Sequence, residues 1–391
     1  MKAQLKDNFF TLFLYLPIVS IFSVGFFIYG WDKQVIALFI IAIFLCCYKY
    51  KLNTIKENIK DPYVIILLIS TIYGSTLYQT IGYGSSEIRT LIACCLFFLF
   101  FPKEKISIVQ LPQLLVIASI CSFAFTAYSK FVLNVDRATW PFNPIPYAMT
   151  LCMLATCCLH YFIRTKSKLL FATFFLFSVT IFLTESRGPI LSLIATSVLL
   201  LLLTLVTKKN VHKVTISVIA FSLITISFTH QLVINRVNAT QQEFSTISSG
   251  DYNTSIGLRF QMWLAAPEII KTNPIIGVGD DFKNEIQILS ERNSFFKPLA
   301  EFSPNHFHNQ FIDKFVRAGA IGLLLCLLIM YYPLYKCWTN KKVISKQNRI
   351  IVTLTAVSIT ISSLTDVPMN QSFCLFPFLL LSYFALNARK V

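Results

Sequence analysis

The sequence is poor in charge. Only 13% of its 391 residues are Asp, Glu, Lys or Arg, about half of what a soluble domain carries. The charges are also unbalanced, 18 acidic against 34 basic, giving +16. With 55% hydrophobic residues and a mean hydropathy of +0.65, this excludes an ordinary soluble domain. The basic excess lacks the aromatic-rich polar surface that a nucleic-acid platform needs, so no nucleic-acid partner is expected. Eleven cysteines are present, all in or beside apolar runs, and no two have the CxxC spacing. That excludes a disulfide framework and a cysteine zinc site, and leaves small lipid- or core-facing residues. Internal repeats and low-complexity tracts are absent. No small-x-small cleavage site follows the first apolar run, which begins at Phe9, so it reads as an uncleaved span.

What remains is a succession of apolar runs long enough to cross a bilayer. Twelve spans are expected, at about 9–29, 34–48, 63–81, 88–101, 109–129, 146–163, 169–184, 189–206, 214–230, 318–337, 350–366 and 372–387. The expected fold is an all-α polytopic integral membrane protein with a large, partly helical loop between spans nine and ten. It divides into spans one to nine (1–229), the loop (230–317) and spans ten to twelve (318–391). Twenty-one basic residues fall on the side of both termini, against five in the short loops opposite: Lys33, Arg89, Lys130, Arg137 and Arg187. The positive-inside rule then places both termini in the cytoplasm and the long loop outside.

That loop is the one long polar interval, and a connection of this length needs a reason beyond threading the bilayer. It carries SIGLRFQMW (Ser255–Trp263), NPIIGVGDD (Asn273–Asp281) and FSPNHFHNQFIDKF (Phe302–Phe315). Gly257–Glu268 is expected to form a short helix. Ser303-Pro304-Asn305 reads as the start of a second helix containing His308 and Phe315. Were that so, His306 and His308 would lie about 200° apart around its axis.

The candidate chemical groups are few. Arg187, in TESRGP at the outward junction of spans seven and eight, is either a snorkelling anchor or an anion ligand. Arg259 shares a helix face with Trp263, which suits an amphipathic interfacial helix or half of an anion clamp. Two guanidiniums could hold a diphosphate bidentately. His306 and His308 could accept a proton, and their spacing leaves open which one acts. A metal is not expected, because no cysteine lies in the loop, the remaining loop histidine is His230, and the carboxylate pair is Asp280-Asp281. Arg89 (SSEIRTL) and Arg137 (VDRATW) are anchors or contacts to an anionic acceptor or headgroup; His306 is a further candidate contact.

Together, a dozen spans, the large loop after span nine, SRG at span eight, Arg-x-x-x-Trp, NPIIGVG, and HN leading into AGAIGLL resemble the O-antigen ligase and polymerase superfamily. The resemblance is best from about Thr184 to Leu325. It implies a metal-independent membrane glycosyltransferase, without cofactor, in the bacterial inner membrane with a periplasmic site. The donor would be a glycan on undecaprenyl diphosphate and the acceptor lipid A–core, with membrane lipids around the protein. Residue by residue, Arg187 and Arg259 match the family's diphosphate-binding arginines, and His308, followed by Asn309, its catalytic histidine. One large loop favours the ligase of lipopolysaccharide biosynthesis; an O-antigen polymerase or a protein O-oligosaccharyltransferase would use the same chemistry. A lipid-linked oligosaccharide flippase is the alternative of another class. Transporters tend to show internal repeats and mid-membrane charges, and this chain has neither.

Overall fold

The computed structural model describes residues 2–135, 137, 139, 141–205, 234, 235 and 237–388. Among these, every regular element is helical. The bundle contains α1 (Lys2–Ile21), α2 (Trp31–Tyr50), the short α3 (Asn53–Asn58), α4 (Pro62–Ile81), α5 (Ser85–Phe100), α6 (Leu111–Phe131), α7 (Pro144–Thr165), α8 (Lys168–Leu183) and α9 (Arg187–Leu205). A cap follows, with α10 over 237–248, α11 (Ser255–Ile270), α12 (Phe282–Arg292) and α13 (Lys297–Phe302). The chain then returns through α14 (Gln310–Thr339), α15 (Lys346–Ser363) and α16 (Ser372–Asn387). Eleven of the expected spans coincide with a helix; the ninth, with His230, lies outside the described residues. Seven spans among the described residues are long and apolar enough to cross a membrane, one in each of α1, α2, α4, α6, α7, α9 and α14.

Local chemistry sets the helix ends. Asp61 and Asn143 each accept the backbone N–H two residues on, and each precedes a proline at the first helical position, so α4 and α7 start sharply. α7 is the centre of the bundle. Its small residues, among them Ala148, Cys152, Ala155 and Cys157, let α8, α9, α15 and α16 approach closely. The cysteines accordingly serve as small packing groups, all eleven unpaired and nine of them buried.

The cap has a core of its own. Leu258, Met262 and Ile269 of α11 pack with Phe282 and Ile286 of α12, Leu299 of α13, and Phe307. It is tied to the bundle by charge. Lys314 of α14 is buried and bonds Glu87 and Tyr83 at the α4–α5 turn, while Arg317 pairs with Asp280. Helix α14 runs through the boundary expected at 317/318 and breaks at Gly319, where φ is +66° and ψ −172°. The NPIIGVG segment fills that break. The N–H groups of Ala320 and Ile321 donate to the carbonyls of Pro274 and Ile275 at 2.9 and 3.3 Å, and Val278 N–H donates to Val316 at 2.9 Å. Backbone groups freed by the kink are thus satisfied by the cap rather than left bare.

A Cβ at position 319 would lie 2.1 Å from the Ile275 carbonyl oxygen, on a φ that only glycine adopts easily. Gly319→Ala should therefore lower stability by about 2 kcal/mol or more. The check is the thermal melt of the purified protein in detergent. An unshifted melt would mean that the cap–kink pairing contributes little.

Candidate active site

The α8–α9 turn brings the first guanidinium into place. Glu185 adopts φ +53°, which turns the chain back so that Arg187 opens α9. Arg137 donates to Ser186 Oγ at 3.1 Å and braces the turn. Gly188 lets α9 meet the α15–α16 turn, since a Cβ there would stand 2.4 Å from Thr365 Oγ1. Arg187 Nη2 itself lies 3.0 Å from Glu243 Oε1 of α10.

The second guanidinium comes from α11, which Thr254 caps by accepting the Gly257 N–H at 3.0 Å. One turn beyond Arg259, Trp263 Nε1 donates to the Phe307 carbonyl at 3.0 Å. Trp263 therefore holds the histidine segment, a more specific task than a place on the face of an interfacial helix. Among the described residues Arg259 makes no hydrogen bond. Burial and the neighbouring Arg187 lower its pKa, with Asp366 and Glu243 acting against them.

The histidine segment departs from the expected helix. Ser303 takes φ +46° at the end of α13, and it is Asn309 that caps α14, accepting from Phe311 and Ile312 N–H at 3.0 and 3.2 Å. An asparagine able to satisfy two orphan N–H groups outcompetes the earlier Ser-Pro start. Both histidines thus precede the helix. His308 has φ +49°, and its N–H donates to His306 Nδ1 at 3.2 Å. The rings lie 4.2 Å apart at 70°, so the expectation that they face opposite ways is corrected.

Both rings address Asp366, in the turn between α15 and α16. His306 Nε2 is 3.6 Å from Oδ1 and His308 Nδ1 is 3.8 Å from Oδ2. Burial raises the Asp366 pKa, but the two facing imidazoles and the Val367 N–H outweigh it, so the carboxyl is held below its ordinary value. Among the described residues His308 Nδ1 makes no hydrogen bond at this distance, but a proton placed there would face the Asp366 carboxylate and leave Nε2 as an acceptor. Asp313 fixes this geometry. It accepts from Phe307 N–H at 3.2 Å and from Asn370 Nδ2 at 2.7 Å, joining the histidine segment to the turn that carries Asp366.

One cavity of about 370 Å³ is lined by Arg137, Arg187, Arg259 and His308, with Glu243 and Thr365. Four sequence candidates therefore converge. Arg89 is elsewhere, paired with Asp32 at 3.0 Å, and His306 stands behind His308. Asp366 and Glu243 were not anticipated. Each is a single acidic residue without a motif; only the fold brings Glu243 to the cavity and Asp366 to the two histidines. Ligand atoms of His306, His308 and Asp366 lie within 4.8 Å of one another and could together hold a divalent ion. The sequence had offered no third ligand near the two histidines.

Burial is the main cause lowering the His306 pKa below 6.5, against the opposing pull of Asp366. The unfolded chain therefore takes up a proton before the folded one. Stability from this group is complete above about 6.5 and declines as pH falls from there to the folded value. Melts of the wild type between pH 7.5 and 5.5 should show this decline, and His306→Asn should flatten it. An equal slope in both proteins would assign the titration to another group.

The family model described as O-antigen ligase matches residues 172–327, a segment that contains Arg187, Arg259 and His308. An uncharacterized protein of Haemophilus influenzae is 27% identical over 292 residues, covering 70% of each chain. The family match, over a segment that supplies all three groups, supports membership of this chain in the O-antigen ligase/polymerase superfamily.

Proposed function

We propose that this protein is an O-antigen ligase, transferring a glycan from undecaprenyl diphosphate to a sugar hydroxyl of lipid A–core. One observation carries the reading: Arg187, Arg259 and His308, from three separate elements of the matched segment, line the same cavity. Charge sidedness supports a periplasmic cap and cytoplasmic termini in the inner membrane. In that compartment the donor must bring its own leaving group, and a lipid diphosphate does so.

In the reaction, the acceptor oxygen bonds the anomeric carbon while the bond from that carbon to the diphosphate oxygen breaks. The leaving polyprenyl diphosphate gains negative charge, which Arg187 and Arg259 stabilise in a partly buried setting. The acceptor hydroxyl is a far weaker acid than imidazolium, so its proton passes to His308 Nε2 as the bond forms. Asp366 steadies the imidazolium that results. A single displacement inverts the anomeric centre. The two guanidiniums supply the cationic stabilisation that metal ions give in other transferases, so transfer is expected to be metal-independent.

A deletion strain complemented with His308→Ala tests the function. Loss of long chains from lipid A, with polymerised glycan still on the carrier, is the ligase outcome. Loss of polymerisation itself, with single repeats on lipid A, would identify a polymerase instead.

With purified protein, transfer should continue in a strong chelator. Asp366→Asn should lower the rate constant by about 10²–10⁴-fold with donor binding kept, because the amide no longer selects the tautomer. Abolition by chelation with recovery on a divalent ion would reassign His306, His308 and Asp366 as metal ligands.

A further inference from the structure

The cavity already holds an anion of the protein's own. Glu243 sits on α10, a helix without a buried residue among those described. Its carboxylate spans two different donors. Oε1 lies 3.0 Å from Arg187 Nη2, and Oε2 accepts the backbone N–H of Ile256 at 2.9 Å. Ile256 is in the first turn of α11, where backbone N–H groups have no partner within the helix and the dipole favours negative charge. Arg259 stands one turn further along the same helix, lining the same cavity. A guanidinium and a helix-start N–H on one carboxylate, with a second guanidinium lining the same cavity, form a recognition set for a phosphate.

We propose that Glu243 occupies, in the ligand-free chain, the place of one phosphate of the diphosphate donor, and that the donor must displace it. This rests on the reading of the cavity as a diphosphate site. It adds the Ile256 N–H as a third phosphate ligand and makes Glu243 a determinant of donor affinity. The displacement is within reach of the ligand. Arg187 is about a third exposed, so its pair with Glu243 is a weak one. A diphosphate brings more charge and more acceptor oxygens to the same donors. The side chains of α10 lie outside both the bundle core and the cap core.

The test is binding of inorganic pyrophosphate and of farnesyl diphosphate to the purified full chain in detergent, by titration calorimetry. Glu243→Gln keeps the size of the side chain and removes the competing charge. It should bind both probes about three- to fivefold more tightly, the factor that one partly exposed ion pair supplies. Glu243→Asp retains the charge but is too short to span both donors, and should also bind more tightly. It serves as the second variant if Glu243→Gln lowers the melting temperature. Equal or weaker binding by a variant that melts like the wild type would overturn the role of Glu243 and leave the diphosphate site standing. Failure of all three proteins to bind either probe would overturn the diphosphate site itself. Tighter binding of pyrophosphate alone would mean that the subsite takes free diphosphate rather than the lipid-linked form, and would overturn displacement by the donor.

Discussion

A fully buried carboxylate, Asp313, joins the two segments that make the site. Such a charge is tolerated only when its oxygens are fully engaged. One oxygen accepts from the backbone of the histidine segment, the other from Asn370 in the α15–α16 turn, and Arg317 lies 3.7 Å away. Gln310 closes the same link, donating to Asn370 at 2.9 Å and accepting the Met369 N–H at 2.7 Å. The need to satisfy buried polar groups thus fixes the position of His308 relative to Asp366. Residues nearly sixty positions apart in the chain are held together by hydrogen bonds whose loss would strand charge in an apolar setting.

The cavity shows the same constraint in its arginines. Three guanidiniums, those of Arg137, Arg187 and Arg259, line the cavity together with the carboxylates of Glu185 and Glu243, so most of its positive charge is compensated in the ligand-free chain. Compensation of this kind limits repulsion among like charges in a low-dielectric setting. On the proposed reading two roles are separate: Arg187 and Arg259 address the anion, and His308, with Asp366 beside it, accepts the proton. The Gly319 break contributes by turning α14 where the cap meets the bundle, and there NPIIGVG supplies the missing hydrogen bonds.

Hydropathy and charge counting were sufficient for the helical bundle, because a helix in lipid must be apolar over most of its length and satisfies its own backbone. They also set the long polar interval apart, while short motifs, not hydropathy, offered Arg187, Arg259 and His308 as candidates. The helix start was misplaced because Ser-Pro is a good local signal, yet Asn309 offers a cap to two N–H groups and its competition is decided by three-dimensional fit. The relation of the two histidines changed with it, from opposite faces of one helix to neighbouring rings around one carboxylate.

By itself, the sequence determined the apolar helices of the bundle and which residue types were available for an anion and a proton. Those properties are local and additive along the chain. The tertiary structure decided which of the candidate arginines meet: Arg137, Arg187 and Arg259 share a cavity, whereas Arg89 is paired with Asp32. It also decided that Asp366 and Glu243 belong to the site. An isolated carboxylate has no periodicity and no motif, and its role comes from the donors that folding sets within about 4 Å of it, the range in which charge and hydrogen bonding act.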